Sequence, residues 1–187
     1  MVFVSTLFTA IFVTNLLFYK LDGMTFHNQT TKIGDVVKQG IKVAIVTLLT
    51  VLSIYPINHF LLSKVDLQFI VPLLAIVGVY GFNLLINFVL TKLKIEDKHS
   101  VKVDHYVLLN SVTFTSVIVA VLNSSLVVSI GYALGFAIGH LLMMLLILTI
   151  APKISLPGIP KRFKGVPAML IAVGLIAMTF MGLAGIL

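Results

Sequence analysis

Six apolar runs recur along the chain, over residues 2–19, 41–63, 67–91, 105–125, 126–150 and 166–187, and the segments between them carry nearly all the charge. A run of about twenty apolar residues matches the roughly 30 Å hydrocarbon core of a bilayer when crossed as a helix. Backbone N–H and C=O groups cannot go unpaired in hydrocarbon, which confines such runs to helices. Of the 187 residues, 59% are hydrophobic and 10% charged, far more apolar surface than a soluble core can use. The expectation is an all-α polytopic membrane protein, a single transmembrane domain of six helices over residues 1–187. The first basic residue, Lys20, follows the first run, so that run reads as a span rather than a cleaved leader.

The connections set an orientation. Residues 20–40 hold Lys20, Lys32, Lys38 and, at their edge, Lys42; residues 92–105 hold Lys92, Lys94, Lys98 and Lys102; residues 151–165 hold Lys153, Lys161, Arg162 and Lys164. These are twelve of the 13 basic residues, the other being Lys64 in the short second connection. The positive-inside rule places connections one, three and five in the cytoplasm and both termini outside. In the second span Pro56 is a candidate kink or early stop.

Several function classes are excluded. The net charge of +7 comes from loop lysines rather than a basic helix interleaved with aromatics, so nucleic acid is not the expected partner. There is no cysteine, hence no disulfide, thiolate metal site or Cys-ligated iron–sulfur cluster held by this chain. No P-loop, G-x-S-x-G, H-E-x-x-H or paired carboxylates occur, and the chain by itself reads as non-catalytic. All six acids, Asp22, Asp35, Asp66, Glu96, Asp97 and Asp104, fall in or beside loops, whereas cation pumps usually place a carboxylate within the membrane.

The polar residues inside the runs are the informative ones. Asn110, Ser111, Thr113, Thr115 and Ser116 crowd the first half of the fourth run. They read either as polar glue between helices or as a discontinuous helix at a functional centre. Thr14 and Asn15 sit in the first run, and Tyr80, Asn83 and Asn87 share a face in the third, expected as a structural seam. Gly131, Gly135 and Gly139 repeat at four-residue spacing in the fifth run, making a smooth stripe for a partner subunit or the sixth helix to cover. His140 is the one ionisable side chain well inside a run. Its ring either donates an N–H to a neighbouring carbonyl or Asn, or serves proton transfer or contact with a quinone or flavin.

With three spans per half, the second half enters the membrane in the opposite sense from the first. This suits an inverted 3+3 repeat, whose sites lie near the midplane on broken helices. Ser5–Val13 and Ser111–Val119 carry a faint echo of one another. The first and fourth helices are therefore expected to be the broken ones and to approach each other, with Asn15, Asn110 and Thr113 at a common centre.

The C-terminal stretch carries a resemblance. Ile159-Pro-Lys-Arg-Phe-Lys-Gly165, Leu170-Ile171, Gly174-Leu175 and Phe180-Met-Gly-Leu-Ala-Gly185 resemble RnfA and its relatives, the six-helix subunits of Rnf and Na⁺-translocating NADH:quinone reductase complexes. There the pattern reads V-P-x-P-F-R-G, followed by a helix ending F-M-G-x-x-G. Upstream, Val13-Thr-Asn15, Lys20, Gly23-Met-Thr-Phe26 and Ala120-Val-Leu-Asn123 resemble the family's V-N-N, K, G-L-C-P-F and A-L-L-N. The resemblance implies a paired homologous membrane subunit, a bacterial plasma membrane, and a two-iron cluster relaying electrons between flavins. The family's two cysteines align at or beside Thr25 and at Phe114, the latter just after Thr113, which takes the family's Asn position. Neither residue can ligate iron as a thiolate does, and the family-like sequences carry an aromatic where His140 stands.

Two functions are thus expected to compete. The first is a cluster-free subunit of an Rnf/Nqr-like electron-transport complex, with no covalently bound cofactor. It would share FMN or quinone with its partners, an FMN-binding protein among them, around Asn15, Thr25, Asn110, Thr113, Phe114 and His140. The second is a small-solute carrier or the substrate-binding membrane subunit of an importer, which six helices and a basic face fit equally well.

Overall fold

The computed structural model describes residues 2–13, 33–93, 111–123, 125–154 and 160–183. Among them there is helix and no strand. Helix α1 (Val2–Phe8) continues as a π-helical turn over Thr9–Val13, and α2 spans Ile33–Phe60, α3 Val71–Lys92, α4 Ser111–Val121, α5 Leu126–Ile154 and α6 Val166–Leu183. Each helix falls on one of the six apolar runs. Three stretches, Ile33–Lys64, Gln68–Lys92 and Leu126–Ile154, are long and apolar enough to cross a membrane; Val2–Phe12 and Val166–Phe180 are shorter apolar helices.

Helix boundaries depart from the apolar runs in both directions. α2 starts at Ile33, eight residues ahead of the run's first residue at 41, so Lys38 and Lys42 are helical rather than loop residues. Pro56 neither stops nor ends α2, which continues to Phe60. Its ring removes one backbone donor, and the Leu52 carbonyl it would have bonded sits on an exposed face. α5 likewise runs through Pro152 to Ile154. The turn between α2 and α3 is made of two 3₁₀ segments, Leu62–Lys64 and Gln68–Ile70, with Asp66 at φ 52°.

Hydroxyl groups inside these apolar helices are mostly satisfied by their own backbone. Thr50 Oγ1 donates to the Val46 carbonyl at 2.7 Å, Ser53 Oγ to Leu49 at 2.8 Å, Thr91 Oγ1 to Asn87 at 2.8 Å and Ser129 Oγ to Ser125 at 3.0 Å. Such i−4 bonds make Ser and Thr tolerable where no water reaches.

The bundle is organised around α2 and α5, which share its most extensive contact. α2 also packs on α3 and α4; α5 packs on α1 with its π turn, on α4 and on α6; α3 meets α4, and α6 meets the π turn. One core joins Val43, Val46, Val51 and Ile54 of α2 to Val71, Ala75 and Val79 of α3 and Val117, Ala120 and Val121 of α4. A second joins Met143 and Ile147 of α5 to Met169, Val173 and Ala177 of α6. The opposite face of α3 is apolar and open, with Leu73, Val77, Leu85 and Phe88 all more than half exposed. A soluble monomer rarely shows so continuous an apolar face, whereas lipid accepts it.

Lipid tails are as apolar as a Val side chain, so burial between these helices gains little from the hydrophobic effect. Close fit has to supply the cohesion. Gly78 shows how: a Cβ there would stand 2.8 Å from Thr50 Cγ2 and 3.1 Å from Ile54 Cδ1, so the missing side chain is what lets α3 lie this near α2. Gly40 does the same for α5, since a Cβ would fall on Leu141, 2.8 Å from its Cγ.

Candidate functional site

The α1–α5 contact positions the π turn. Ideal Cβ atoms on Gly131 would lie 3.3 Å from Thr6 Cβ, and on Gly135 against Ala10 Cβ and 2.9 Å from the Leu7 carbonyl oxygen. Gly131 and Gly135 of the glycine stripe are thus covered by the chain's own first helix rather than by α6. Both pairs advance by four residues together, so α1 and α5 run parallel. The small stripe brings the π-helical segment Thr9–Val13 against the centre of α5, where Ala10 and Phe136 are buried together with Val119 and Tyr132 against them. Phe12 of the π turn stacks on Phe180 of α6, ring centroids 6.0 Å apart and planes 9° from parallel. Single π turns inside α-helices are often found at functional sites.

Thr113 is fully buried on α4, and the adjacent Phe114 is half buried against the α2–α3–α4 core. His140 is 1% exposed on α5, beside the Leu141 that packs on Gly40. The register separates these residues. Asn58 of α2 donates from Nδ2 to the Val121 carbonyl of α4 at 3.0 Å; counting back eight residues along both helices puts Thr113 level with Thr50. His140 is level with Gly40, on the order of 10–15 Å further along the bundle. Thr113 and Phe114 therefore belong to one layer and His140 to another. Asn15, Thr25 and Asn110 lie outside the described residues.

Further polar side chains are buried on α2, α3 and α4. Asn83 and Asn87 are buried on the same stripe of α3 as Val71, Ala75 and Val79, and Asn87 Nδ2 donates to Asn83 Oδ1 at 3.0 Å. Tyr80, expected to share that seam, is 47% exposed. Gln39, Lys42, Thr47 and Thr50 of α2 and Thr113 and Ser116 of α4 are buried as well. Thr47 Oγ1 has no hydrogen-bond partner among the described residues, unlike its neighbour Thr50.

Gln39 falls in the stretch 20–40 that reads as a polar connection, Lys42 counts with the loop lysines at its edge, and Thr47 is a single hydroxyl within the second apolar run, so none of the three stood out from the sequence. A signal was present: Ile41, Val43 and Ala44 surround Lys42, which is the setting of a lysine inside a helix rather than in a loop. Among the described residues no three His, Asp or Glu side chains are placed to hold a metal ion. Protein-family models give no match to the chain, and the curated proteins give none either.

Proposed function

We propose that this chain is a cluster-free integral membrane subunit of an Rnf/Nqr-like electron-transport complex. It spans the bacterial plasma membrane six times with both termini outside, and supports electron transfer between flavin or quinone carriers that partner subunits help to hold. Those partners are a paired homologous membrane subunit and an FMN-binding protein. The chemistry rests on the C-terminal resemblance, in which Phe180 opens the F-M-G-L-A-G stretch and packs on the π turn.

The observation that carries the architecture is a pairing of contacts. Exchanging α1 with α4, α2 with α5 and α3 with α6 turns the α2–α3 contact into α5–α6, α1–α5 into α4–α2, and α3–α4 into the contact of α6 with the π turn after α1, while α2–α5 maps onto itself. The counterparts are unequal among the described residues: α5–α6 is less extensive than α2–α3, α6 meets the π turn less than α3 meets α4, and α4–α5 has no comparable α1–α2 contact. The partial correspondence supports an inverted 3+3 repeat. The π turn at Thr9–Val13 supports a first helix that departs from regular geometry near the centre, where Asn15, Thr25, Asn110, Thr113 and Phe114 would face a shared carrier. His140 stands one layer away.

The solute-carrier reading keeps one observation in its favour, the buried polar side chains shared by α2, α3 and α4. Purification with native partners, followed by absorbance and mass analysis for flavin, quinone and iron, separates the two. Flavin or quinone in stoichiometric amount is expected. A complex without any redox carrier, assembled with an ATPase instead, would replace the electron-transport reading by the importer.

A further inference from the structure

The turn between α2 and α3 presents large apolar side chains on its outer side. Leu62 is buried and joins the α2–α3–α4 core, and the Leu67 N–H donates to the Leu62 carbonyl at 3.0 Å, which closes the turn on itself. Around that point Phe60, Leu61, Val65 and Phe69 are 62–73% exposed. Rings gather at the same end: His59 stacks on Tyr55 with centroids 5.7 Å apart and meets Phe60 edge-on at 5.3 Å. The two charged residues here, Lys64 and Asp66, are of opposite sign, so the turn offers no net charge to steer a charged partner.

Helix register gives the turn a depth. Gly78 lies against Thr50 and Ile54. Counting away from that contact along α2 and α3, which the short turn makes antiparallel, puts exposed Lys38 level with exposed Lys92. Charged heads belong at the membrane interface or beyond it. The hydrocarbon is roughly 30 Å thick, about twenty helical residues. Measured from the two lysines, it ends near Asn58 on α2 and Pro72 on α3. Phe60 and Phe69 follow within about three residues, on the order of 5 Å, and the headgroup layer is itself about 5–8 Å deep on each side. The turn therefore falls within that layer.

Continuity with α3 indicates what covers it. Phe69 heads a stripe of exposed side chains that runs on through Leu73, Val77, Leu84 and Phe88, along a stretch long and apolar enough to cross a membrane. The occupant of that face, lipid, reaches the turn without a break. Phe and Leu side chains seat readily at the boundary between headgroups and acyl chains.

We propose that the α2–α3 turn is a lipid-binding surface. Phe60, Leu61, Val65 and Phe69 seat among the headgroups and upper acyl chains of one leaflet, zwitterionic phospholipid serving as well as anionic, and hold α2 and α3 at a fixed depth. This seat requires that α2 and α3 span a membrane and is independent of electron transport.

The chain has no tryptophan, so each introduced indole is a lone reporter. Phe60→Trp, Phe69→Trp and, near mid-depth, Leu85→Trp are compared as full chains in phosphatidylcholine vesicles, with and without phosphatidylglycerol. The quenchers are aqueous acrylamide and lipids with a nitroxide near the headgroup or near the chain end. Both turn reporters should be quenched at least about twofold more by the shallow nitroxide than by the deep one, and at least about threefold less by acrylamide than free N-acetyltryptophanamide, in either lipid mixture. Leu85→Trp should prefer the deep nitroxide; loss of that preference would remove the membrane placement of α3 itself. With Leu85→Trp behaving as expected, acrylamide quenching of both turn reporters at the free level would overturn the seat, and a requirement for phosphatidylglycerol would overturn its indifference to lipid charge. In cells, p-benzoylphenylalanine in place of Phe69 should give no protein adduct on irradiation. A protein adduct would put a partner on the turn and overturn the lipid assignment.

Discussion

Ala10 of the first helix lies directly over Gly135 of the fifth, and the Leu7 carbonyl oxygen is 2.9 Å from the point a Cβ on Gly135 would occupy. Backbone thus rests on backbone at the position where α1 passes into its π turn. In a solvent that offers no hydrophobic drive between helices, this contact is what holds the first helix to the rest.

Gly135→Leu should therefore cost about 1–3 kcal/mol or more, the range for forcing extra methylenes into a packed site. Neither Ala10 nor the Leu7 carbonyl is the end of a flexible side chain, so the backbones must part. Gly81→Leu is the control, since nothing lies within 4 Å of its Cβ direction. Thermal unfolding in detergent should show a marked drop for the first and little change for the second. Equal behaviour of the two would mean that α1 is not held by this contact.

Asn58 ties the far end of α2 to the end of α4 through its 3.0 Å bond to the Val121 carbonyl. Asn58→Leu removes that bond and leaves a helix-end carbonyl to find water or lipid headgroups. Interhelical bonds in membranes average about 0.6 kcal/mol and reach about 1.7, and the loss should fall in that interval by steric-trap or denaturant titration. A neutral result would show that Val121 finds another donor at no cost.

The positions of all six helices were legible because an apolar run near twenty residues has few alternatives to a helix. Their ends were not. Lys38 and Lys42 read as loop residues because charge marks connections in most membrane chains, yet a helix can begin well before its apolar centre, and α2 does so at Ile33. The glycine stripe was legible as a packing surface, but its occupant was not, because Gly131 and Gly135 specify only closeness and not which helix comes close. Tyr80 sits three residues from Asn83, near enough in helical angle to suggest one face, but the buried stripe of α3 follows four-residue steps from Val71 to Asn87 and leaves the tyrosine outside it. Of the expected site residues, the distance between the Thr113–Phe114 layer and His140 depends on helix register, which no local pattern encodes.

Orientation follows from the lysine count and has its own test. Single cysteines at Lys32, Lys98 and Lys161 should resist an impermeant thiol reagent in intact cells and react after permeabilisation, because connections one, three and five are expected in the cytoplasm. With no native cysteine in the chain, background labelling is absent. Reaction of all three from outside would invert the topology.

His140 offers the sharpest separation of structure from chemistry. Its ring is 1% exposed on α5, level with the Gly40–Leu141 contact, in the same half of the bundle as Lys42. A polar ring at such a place either joins helices or moves protons, and an imidazole is suited to both near neutral pH. The joining role is expected, since the neighbouring Met143, Met144 and Ile147 of α5 are buried and apolar and a ring N–H bond across helices is worth about 1 kcal/mol there. His140→Phe should then lower stability by about that amount, while His140→Gln, which keeps a donor and an acceptor but cannot titrate, should restore it. Across about pH 6 to 8, where imidazole changes charge, the rate of electron transfer by the proposed complex should keep its native pH profile in the glutamine variant. A glutamine variant that folds with native stability but loses that profile would assign His140 a proton-carrying role instead.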